Sequence, residues 1–261
     1  MSRVTMKKVW LCGFCISLLA VGCTSTNSSS SEVNNSRTDT LKQIATSCTN
    51  DPSQGKLYDR IEKISRAAQG RVGVAATVLE TGESVALNAE QRFPMQSVYK
   101  FPIGMAVLAQ VDKGKLKLEQ RVRVEKSDFV SERQHSPIRD NNLQGVELSI
   151  AELLKYMVSE SDGTACDVLL RLIGSPKVVT EYLRELGVND IVVANTDKEI
   201  GQDKSVQYRN WTTPEGAIAL LRALHEGRGL SKSSQALLLR LMIETPTGLQ
   251  RIKGYCTRKN R

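Results

Sequence analysis

A serine and a lysine three residues apart stand out in the largely apolar segment MQSVYKF, where they are Ser97 and Lys100. The next residues, FPIGMAVLAQV, place apolar side chains at helical spacing, and Pro102 is tolerated only near a helix beginning, so a helix is predicted to begin close to Ser97. Residues i and i+3 share one helix face, which brings the Lys100 amine within reach of the Ser97 hydroxyl. A neutral lysine can take the serine proton, so the pair predicts a nucleophilic serine. The same spacing also occurs on surface helices without any catalytic role.

A second polar turn, Ser161-Asp162-Gly163, lies in VSESDGTACDVLLRL between two predicted helices. Short polar side chains in such a turn can project into a cleft. The turn therefore offers a second hydroxyl that a fold could bring near Ser97.

Helices and one hairpin are predicted to position these side chains. A helix from Leu57 ends by Gly70, and RVGVAATVLETGESVALN reads as two strands that turn at Thr81-Gly82. From Gln96 to about Leu224 nearly everything is predicted to be helical, and a last helix covers SSQALLLRLMIE. Helix-start signals stand at three places: a capping box at Ser149 and Glu152, Ser175-Pro176, and a capping box at Thr212 and Glu215.

The beginning of the chain has the features of an export signal. Basic residues precede an apolar run from residue 9 to residue 22, which is too short to span a membrane as a mature helix. The run ends in LLAVGC, which resembles the lipobox of bacterial lipoproteins and implies a lipid on Cys23; cleavage near Gly22 without a lipid is the alternative. With 1–22 as the signal and 23–52 as a polar flexible tether, we expect a periplasmic, membrane-anchored protein.

Charge and cysteine usage exclude other function classes. Six of the basic residues behind the formal net charge of +8 lie in the export signal and in the last four residues, so the body gives no argument for nucleic acid binding. Cys48, Cys166 and Cys256 are an odd set without metal-ligand spacing, and Cys166 is expected to be a buried thiol in an apolar helical run. No metal or organic cofactor is implied.

From about Leu57 to Lys253 the chain resembles the class A serine β-lactamases, whose signature includes S-x-x-K and S-D-N. Longer segments carry the resemblance in the family's order: ETGESVALNAEQRFPMQSVYKFPIGMAVL, QHSPI, TDKEIGQDKSVQYRNWTTPEGA and TPTGLQRIKG. The resemblance implies an α/β plus all-α fold, in which a helix-flanked antiparallel sheet and a large helical insert enclose the site in a cleft. The implied α/β subdomain combines 53–92 and 226–253, and the all-α subdomain covers 93–225.

The resemblance also implies roles for residues. Ser97 would attack the strained carbonyl of a β-lactam, and either Lys100 or a carboxylate acting through a water would take its proton. Ser161 would relay a proton to the departing ring nitrogen. Asp197 or Glu199, in the omega loop, would then activate the water that hydrolyses the acyl-enzyme. The implied substrate-binding residues are Gln96, His135, which gates the cleft, Asp162 and Gly163.

The omega loop departs from the family pattern T-E-x-E-apolar-N. The base position holds Asp197, which is one methylene shorter than glutamate, and the asparagine position holds Gly201. Glu199 could replace Asp197 only if the loop shifts, and an ion pair within the loop is the alternative for Glu199. Gly163 likewise replaces the asparagine of S-D-N.

No K-T-G or K-S-G triplet occurs in the 261 residues. The family's second oxyanion donor follows that motif, and loss of one such donor reduces turnover by about 10²–10³. Residues 254–261 form an anomalous polar tail that reads like out-of-frame translation, so an incomplete sheet and low activity are predicted.

Three functions therefore compete. The first is a working monomeric β-lactamase with β-lactams as its small-molecule partners and a membrane contact only through Cys23. The second is a covalent penicillin acceptor that does not deacylate. The third, which the missing motif favours, is a non-catalytic fragment of a disrupted gene.

Overall fold

The structure is a computed structural model that describes residues 52–248. These residues belong to two compact units, which meet in sequence between Leu87 and Asn88. Among them, no helix has both the length and the apolar character that a bilayer crossing needs. The predicted signal, Cys23, the tether and the tail 254–261 lie outside the described residues. The subdomain boundaries drawn from the resemblance stay predictions.

The first unit holds one helix and one hairpin. Helix α1 (Pro52–Ser65) packs against strand β2 (Ser84–Leu87), which pairs antiparallel with β1 (Val74–Thr77). The turn between the strands includes Gly82 at φ +75°, a backbone region that glycine occupies without strain. Both predicted elements are confirmed, but α1 ends at Ser65 rather than near residue 70, because the amides of Ala67 and Ala68 bond three residues back in tighter turns.

The second unit is mainly helical. Its helices are α2 (Lys100–Asp112), α3 (Pro137–Asn141), α4 (Ile150–Val158), α5 (Gly163–Ile173), α6 (Pro176–Glu185), α7 (Asp197–Gln202), α8 (Pro214–His225) and α9 (Lys232–Ile243). Short 3₁₀ turns cover Gln96–Tyr99, Lys126–Asp128 and Lys204–Arg209. The strands are β3 (Phe93–Pro94), β4 (Arg121–Val124), β5 (Val146–Ser149), β6 (Ile191–Val192) and β7 (Trp211–Thr212).

Helix α2 is the centre of the core in the second unit. Its side chains at Ile103, Met105, Val107 and Leu108 are fully buried, and α4, α5, α6 and α9 pack around it. A helix buried on all sides is expected to be apolar around its whole circumference, and FPIGMAVLAQV is. A Cβ at Gly104 would lie 3.1 Å from a methyl group of α9, so glycine permits the close approach of the two helices. The helix that follows the serine motif is therefore a rigid support.

The small strands of the second unit are absent from the sequence prediction. β4 pairs antiparallel with β5, and β7 pairs with both β3 and β6. These strands have two to four residues, which is too short for a clear period in the sequence. The segment RVRV of β4 does alternate between exposed arginines and buried valines, and that signal was available.

The helix-start signals are right in two cases and displaced in the third. Ser149 and Glu152 form the predicted capping box of α4, with the Ser149 N–H donating to the Glu152 carboxylate at 2.7 Å. Helix α6 begins at Pro176 as predicted. The N-cap of α8 is Thr213 rather than Thr212, because Pro214 takes the first helical position and the Thr213 hydroxyl accepts the Gly216 N–H at 2.9 Å.

Candidate active site

The predicted nucleophile lies at the mouth of a pocket. Ser97 is exposed in the 3₁₀ turn that leads into α2, so the helix begins close to Ser97 as predicted. Ser97 and Lys100 both line a largely apolar pocket of about 350 Å³. Among the hydrogen bonds of the described residues, none joins the Ser97 hydroxyl to Lys100. The Lys100 amine is directed to other partners.

Lys100 connects three elements of the second unit. Its Nζ donates to the Ser161 carbonyl at 2.7 Å and to the Ser161 hydroxyl at 3.4 Å. It also lies 3.2 Å from Asp197 Oδ2, and the two side chains of this ion pair are only 6% and 15% exposed. The structure therefore brings Lys100, Ser161 and Asp197 together, and Lys100 also lines the pocket that Ser97 lines.

Two residues beside the pocket have backbones in the left-handed region without being glycine. Gln96, directly before Ser97, has φ +48°, and Ser161 has φ +60°. Such a conformation is unfavourable by about 1–3 kcal/mol and persists only where the surroundings impose it. At Ser161 the surroundings include the Lys100 amine on its carbonyl and a bond from the next amide to the Tyr156 carbonyl at 2.9 Å. In this conformation both oxygens of Ser161 lie within hydrogen-bonding distance of Lys100 Nζ.

Asp162 is fully buried and its carboxylate is occupied by the fold. It caps α5 by accepting the Ala165 N–H at 2.8 Å, and it accepts the Ile138 N–H at 2.8 Å. The Ser136 hydroxyl lies within bonding distance of both of its oxygens. Asp162 thus joins the start of α5 to the segment before α3. A direct contact of Asp162 with a substrate stays a prediction.

The remaining predicted substrate residues are not among those that line the pocket of Ser97 and Lys100. Gly163 is buried, its N–H donates to the His135 carbonyl at 3.0 Å, and a Cβ on it would lie 3.2 Å from Asp197 Oδ2. His135 is exposed and places its Nε2 2.9 Å from the Glu160 carbonyl oxygen. The exposed Gln96 side chain donates to the Gln207 side chain. The substrate contacts of these residues stay predictions.

The two omega-loop carboxylates have different surroundings. Glu199 forms a capping box with Thr196, whose N–H donates to Glu199 Oε2 at 2.9 Å, and Asn195 Nδ2 donates to the same oxygen at 3.1 Å. These bonds, led by the Thr196 N–H, lower the pKa of Glu199. The capping box takes the place of the ion pair that the sequence suggested. Of the two carboxylates, only Asp197 contacts Lys100.

Asp167 is a site residue that the sequence analysis missed. Its two oxygens accept the N–H groups of Asp197, at 2.7 Å, and Lys198, at 2.9 Å, so it caps α7 from the neighbouring helix α5. Burial raises the pKa of Asp167 from its ordinary value of 3.8 to about 7. The sequence feature that could have identified Asp167 is a carboxylate within the apolar run ACDVLLRL.

A buried group of titratable side chains surrounds Asp197. The Cys166 thiol is buried and free, as predicted, and burial raises its pKa and that of Tyr99. The Tyr99 hydroxyl and Asp197 Oδ2 are buried without a hydrogen bond of good geometry. Ligand atoms of Cys166, Asp167 and Asp197 lie within 4.8 Å of one another, close enough to hold a cation. The Lys100 ammonium already supplies a positive charge at this place.

Comparison with known proteins identifies the family of the chain. The model of the Beta-lactamase enzyme family matches residues 56–260. The extended-spectrum β-lactamase PER-1 of Pseudomonas aeruginosa is 40% identical over 76% of this chain and 64% of its own length. The β-lactamase VEB-1 of the same organism is 37% identical over 75% of this chain and 66% of its own length. The chain thus spans just under two thirds of the length of these two relatives.

Solved structures extend the likeness to the fold. An ancestral class A β-lactamase, that of the last common ancestor of Gram-negative bacteria, aligns with a TM-score of 0.70 and 32% identity over 76% of this chain and 75% of that chain. The expected fold class is thereby confirmed. The sequence motifs, the helical core with its small antiparallel sheets, and these matches lead to one assignment. The chain belongs to the β-lactamase enzyme family, among its class A serine members.

Proposed function

We propose that this protein opens the amide bond of β-lactams through an acyl-enzyme at Ser97 and hydrolyses that acyl-enzyme with Asp197 as the base. One observation carries the proposal: an exposed serine shares a pocket with a buried lysine whose amine contacts both Ser161 and Asp197. The substrate class comes from the relatives, of which PER-1 and VEB-1 are named β-lactamases.

Acylation forms the ester bond and breaks the lactam carbon–nitrogen bond. The Ser97 oxygen attacks the carbonyl carbon, and its proton has to leave towards a base. Lys100 accepts that proton after passing one of its own to Asp197 across the 3.2 Å contact. The Ser161 hydroxyl gives a proton to the departing ring nitrogen and regains one from Lys100, whose Nζ lies 3.4 Å away.

Deacylation needs a carboxylate that a water can reach. The Asp197 side chain is 15% exposed and contacts Lys100, whereas the carboxylate of the more exposed Glu199 is occupied by the Thr196 capping box. Asp197 first returns to Lys100 the proton that it received during acylation. As a carboxylate it then takes a proton from the water while the water oxygen attacks the ester carbonyl, and it gives that proton to the departing Ser97 oxygen. The bonds from the Asp197 and Lys198 amides to Asp167 hold the main chain that carries this base.

Intact-mass spectrometry of residues 24–261, mixed with benzylpenicillin, tests this function. An adduct that forms and then decays supports the full cycle, and it contradicts the sequence prediction of low turnover. A stable adduct supports the covalent acceptor instead. No adduct on a folded chain overturns the proposal. The adduct has to disappear in Ser97→Ala and to persist in Ser84→Ala, a control at an exposed strand position.

We propose as well that the protein is an exported monomer that Cys23 anchors to a membrane through a lipid. The LLAVGC segment and the polar tract after it support this. Cells fed labelled palmitate are expected to label the parent protein but not Cys23→Ser. Equal labelling of both contradicts the anchor, and light scattering on residues 24–261 tests the monomer.

A further inference from the structure

The side chain of Gln134 fills a space that Gly201 leaves open. A Cβ built on Gly201 would lie 2.5 Å from Gln134 Cδ and closer still to Gln134 Oε1, where real Cβ atoms essentially never come. Gly201 lies within α7 and is not among the glycines with positive φ, so its backbone does not require glycine. A Cβ at position 201 would therefore require the Gln134 amide, the end of a flexible side chain, to move away.

The inserted amide joins the loop before α3 to the start of α7. Gln134 Nε2 donates to the main-chain carbonyl of Asp197. Gln134 Oε1 accepts the N–H of Ser131 at 3.3 Å and the Ser131 hydroxyl at 3.0 Å, which fixes the orientation of the amide. The donor end of the amide is therefore directed at α7 by its own loop.

Both main-chain polar groups of Asp197, its carbonyl and its N–H, bond to residues outside α7. Its carbonyl accepts from Gln134, and its N–H donates to Asp167 Oδ1 at 2.7 Å. Its carboxylate lies 3.2 Å from Lys100 Nζ. A short side chain whose main chain is fixed on two sides has little freedom to swing away from that position. This matters because a displacement of a catalytic group by about 1 Å can reduce a rate about a hundredfold.

We propose that Gln134 is a positioning residue that aligns Asp197 for hydrolysis of the acyl-enzyme, and that side chains at positions 134 and 201 exclude each other. The first part rests on the proposed function. Gln134 acts through the main chain of Asp197. Hydrolysis requires Asp197 to be aligned on a water, whereas acylation uses only the contact of Asp197 with Lys100, which the ion pair itself maintains, so deacylation is the step that Gln134 affects.

The lifetime of the Ser97 adduct with benzylpenicillin tests the positioning role. Gln134→Ala and Gln134→Met remove the bond to Asp197, and methionine still fills the space. We expect both variants to lengthen the adduct lifetime at least tenfold, with the rate of adduct formation changed less than twofold. Arg133→Ala, at the exposed neighbouring residue, is the control and is expected to match the parent.

Two different failures can be told apart. If the parent forms an adduct but both Gln134 variants lose it at the parental rate, the positioning role is overturned. If only Gln134→Ala is slow and Gln134→Met is normal, filling the space suffices and the hydrogen bond has no positioning role. If the folded parent forms no adduct, the proposed function itself fails.

A stability cycle tests the exclusion without any activity. Gly201→Ala is expected to lower the thermal midpoint of the parent, because the new Cβ meets the Gln134 amide. In the Gln134→Ala background the same change is expected to raise the midpoint, since alanine favours a helix more than glycine does. If Gly201→Ala changes the thermal midpoint in the same direction in the parent and in Gln134→Ala, the proposal that the two side chains exclude each other is overturned.

Discussion

The Lys100 ammonium lies 3.2 Å from Asp197 Oδ2, and both side chains are largely buried. A buried ion pair is tolerated when further hydrogen bonds satisfy its members, and here Lys100 also donates to the Ser161 carbonyl at 2.7 Å. The pair joins Lys100, which lines the same pocket as the nucleophile, with the residue proposed to activate water. Its removal should therefore affect both chemistry and stability, in ways that different variants separate.

Asp197→Asn is expected to prolong the lifetime of the acyl-enzyme, and also to slow its formation because Asp197 receives the Lys100 proton during acylation. Asparagine keeps the size of the side chain but cannot take a proton from water, and loss of a general base reduces the rate of the step by about 10²–10⁴. Intact-mass measurements after mixing with benzylpenicillin should show an adduct that persists correspondingly longer. Glu199→Gln is the matched control, because Glu199 caps α7 and does not contact Lys100. If Glu199→Gln lengthens the adduct lifetime as much as Asp197→Asn does, the assignment of Asp197 as the base is wrong.

Lys100→Met is expected to destabilise the fold by about 3 kcal/mol, because it leaves Asp197 without its cationic partner in a largely buried position. The double variant Lys100→Met/Asp197→Asn should recover part of that loss, since no unpaired charge remains. Urea unfolding of the parent, Lys100→Met, Asp197→Asn and the double variant gives the coupling free energy between the two positions. Additive effects of the two changes would mean that the ion pair contributes nothing to stability.

Some of these relationships were predictable from the sequence and others were not. The Ser149 capping box, the Gly82 turn and the helix start beside Ser97 depend on neighbouring residues, and the sequence predicts them. The contact of Lys100 with Asp197 joins residues far apart in the chain. The family resemblance gave each of them a role but did not predict the contact. Gln134 gave no local signal, because its contact exists only where Gly201 leaves room for it.

Ser161→Gly is expected to be more stable than Ser161→Ala by about 1 kcal/mol. Ser161 has φ +60°, where alanine meets a steric penalty that glycine avoids. Neither variant has the hydroxyl, so adduct formation should fall equally in both. Urea unfolding measures the difference in stability, and equal midpoints would show that the backbone relaxes when the hydroxyl is removed.

The stability of the parent is expected to fall between about pH 4 and pH 7 through Asp167. Burial raises the pKa of Asp167 from 3.8 to about 7, so the folded chain holds this proton more tightly than the unfolded chain does. The resulting stabilisation is complete below the unfolded pKa and is lost as the pH rises through the folded pKa. Asp167→Asn removes the titration, so the free energy of unfolding of the variant relative to the parent should rise from pH 5 to pH 7. At 1.36 kcal/mol per pH unit the rise is at most about 2–3 kcal/mol.

Thermal unfolding between pH 5 and pH 7 measures this rise. Asp203→Asn is the control, because Asp203 is exposed and its pKa is lowered by bonds from Ser205. A difference between Asp167→Asn and the parent that is independent of pH would show that Asp167 is ionised throughout the range.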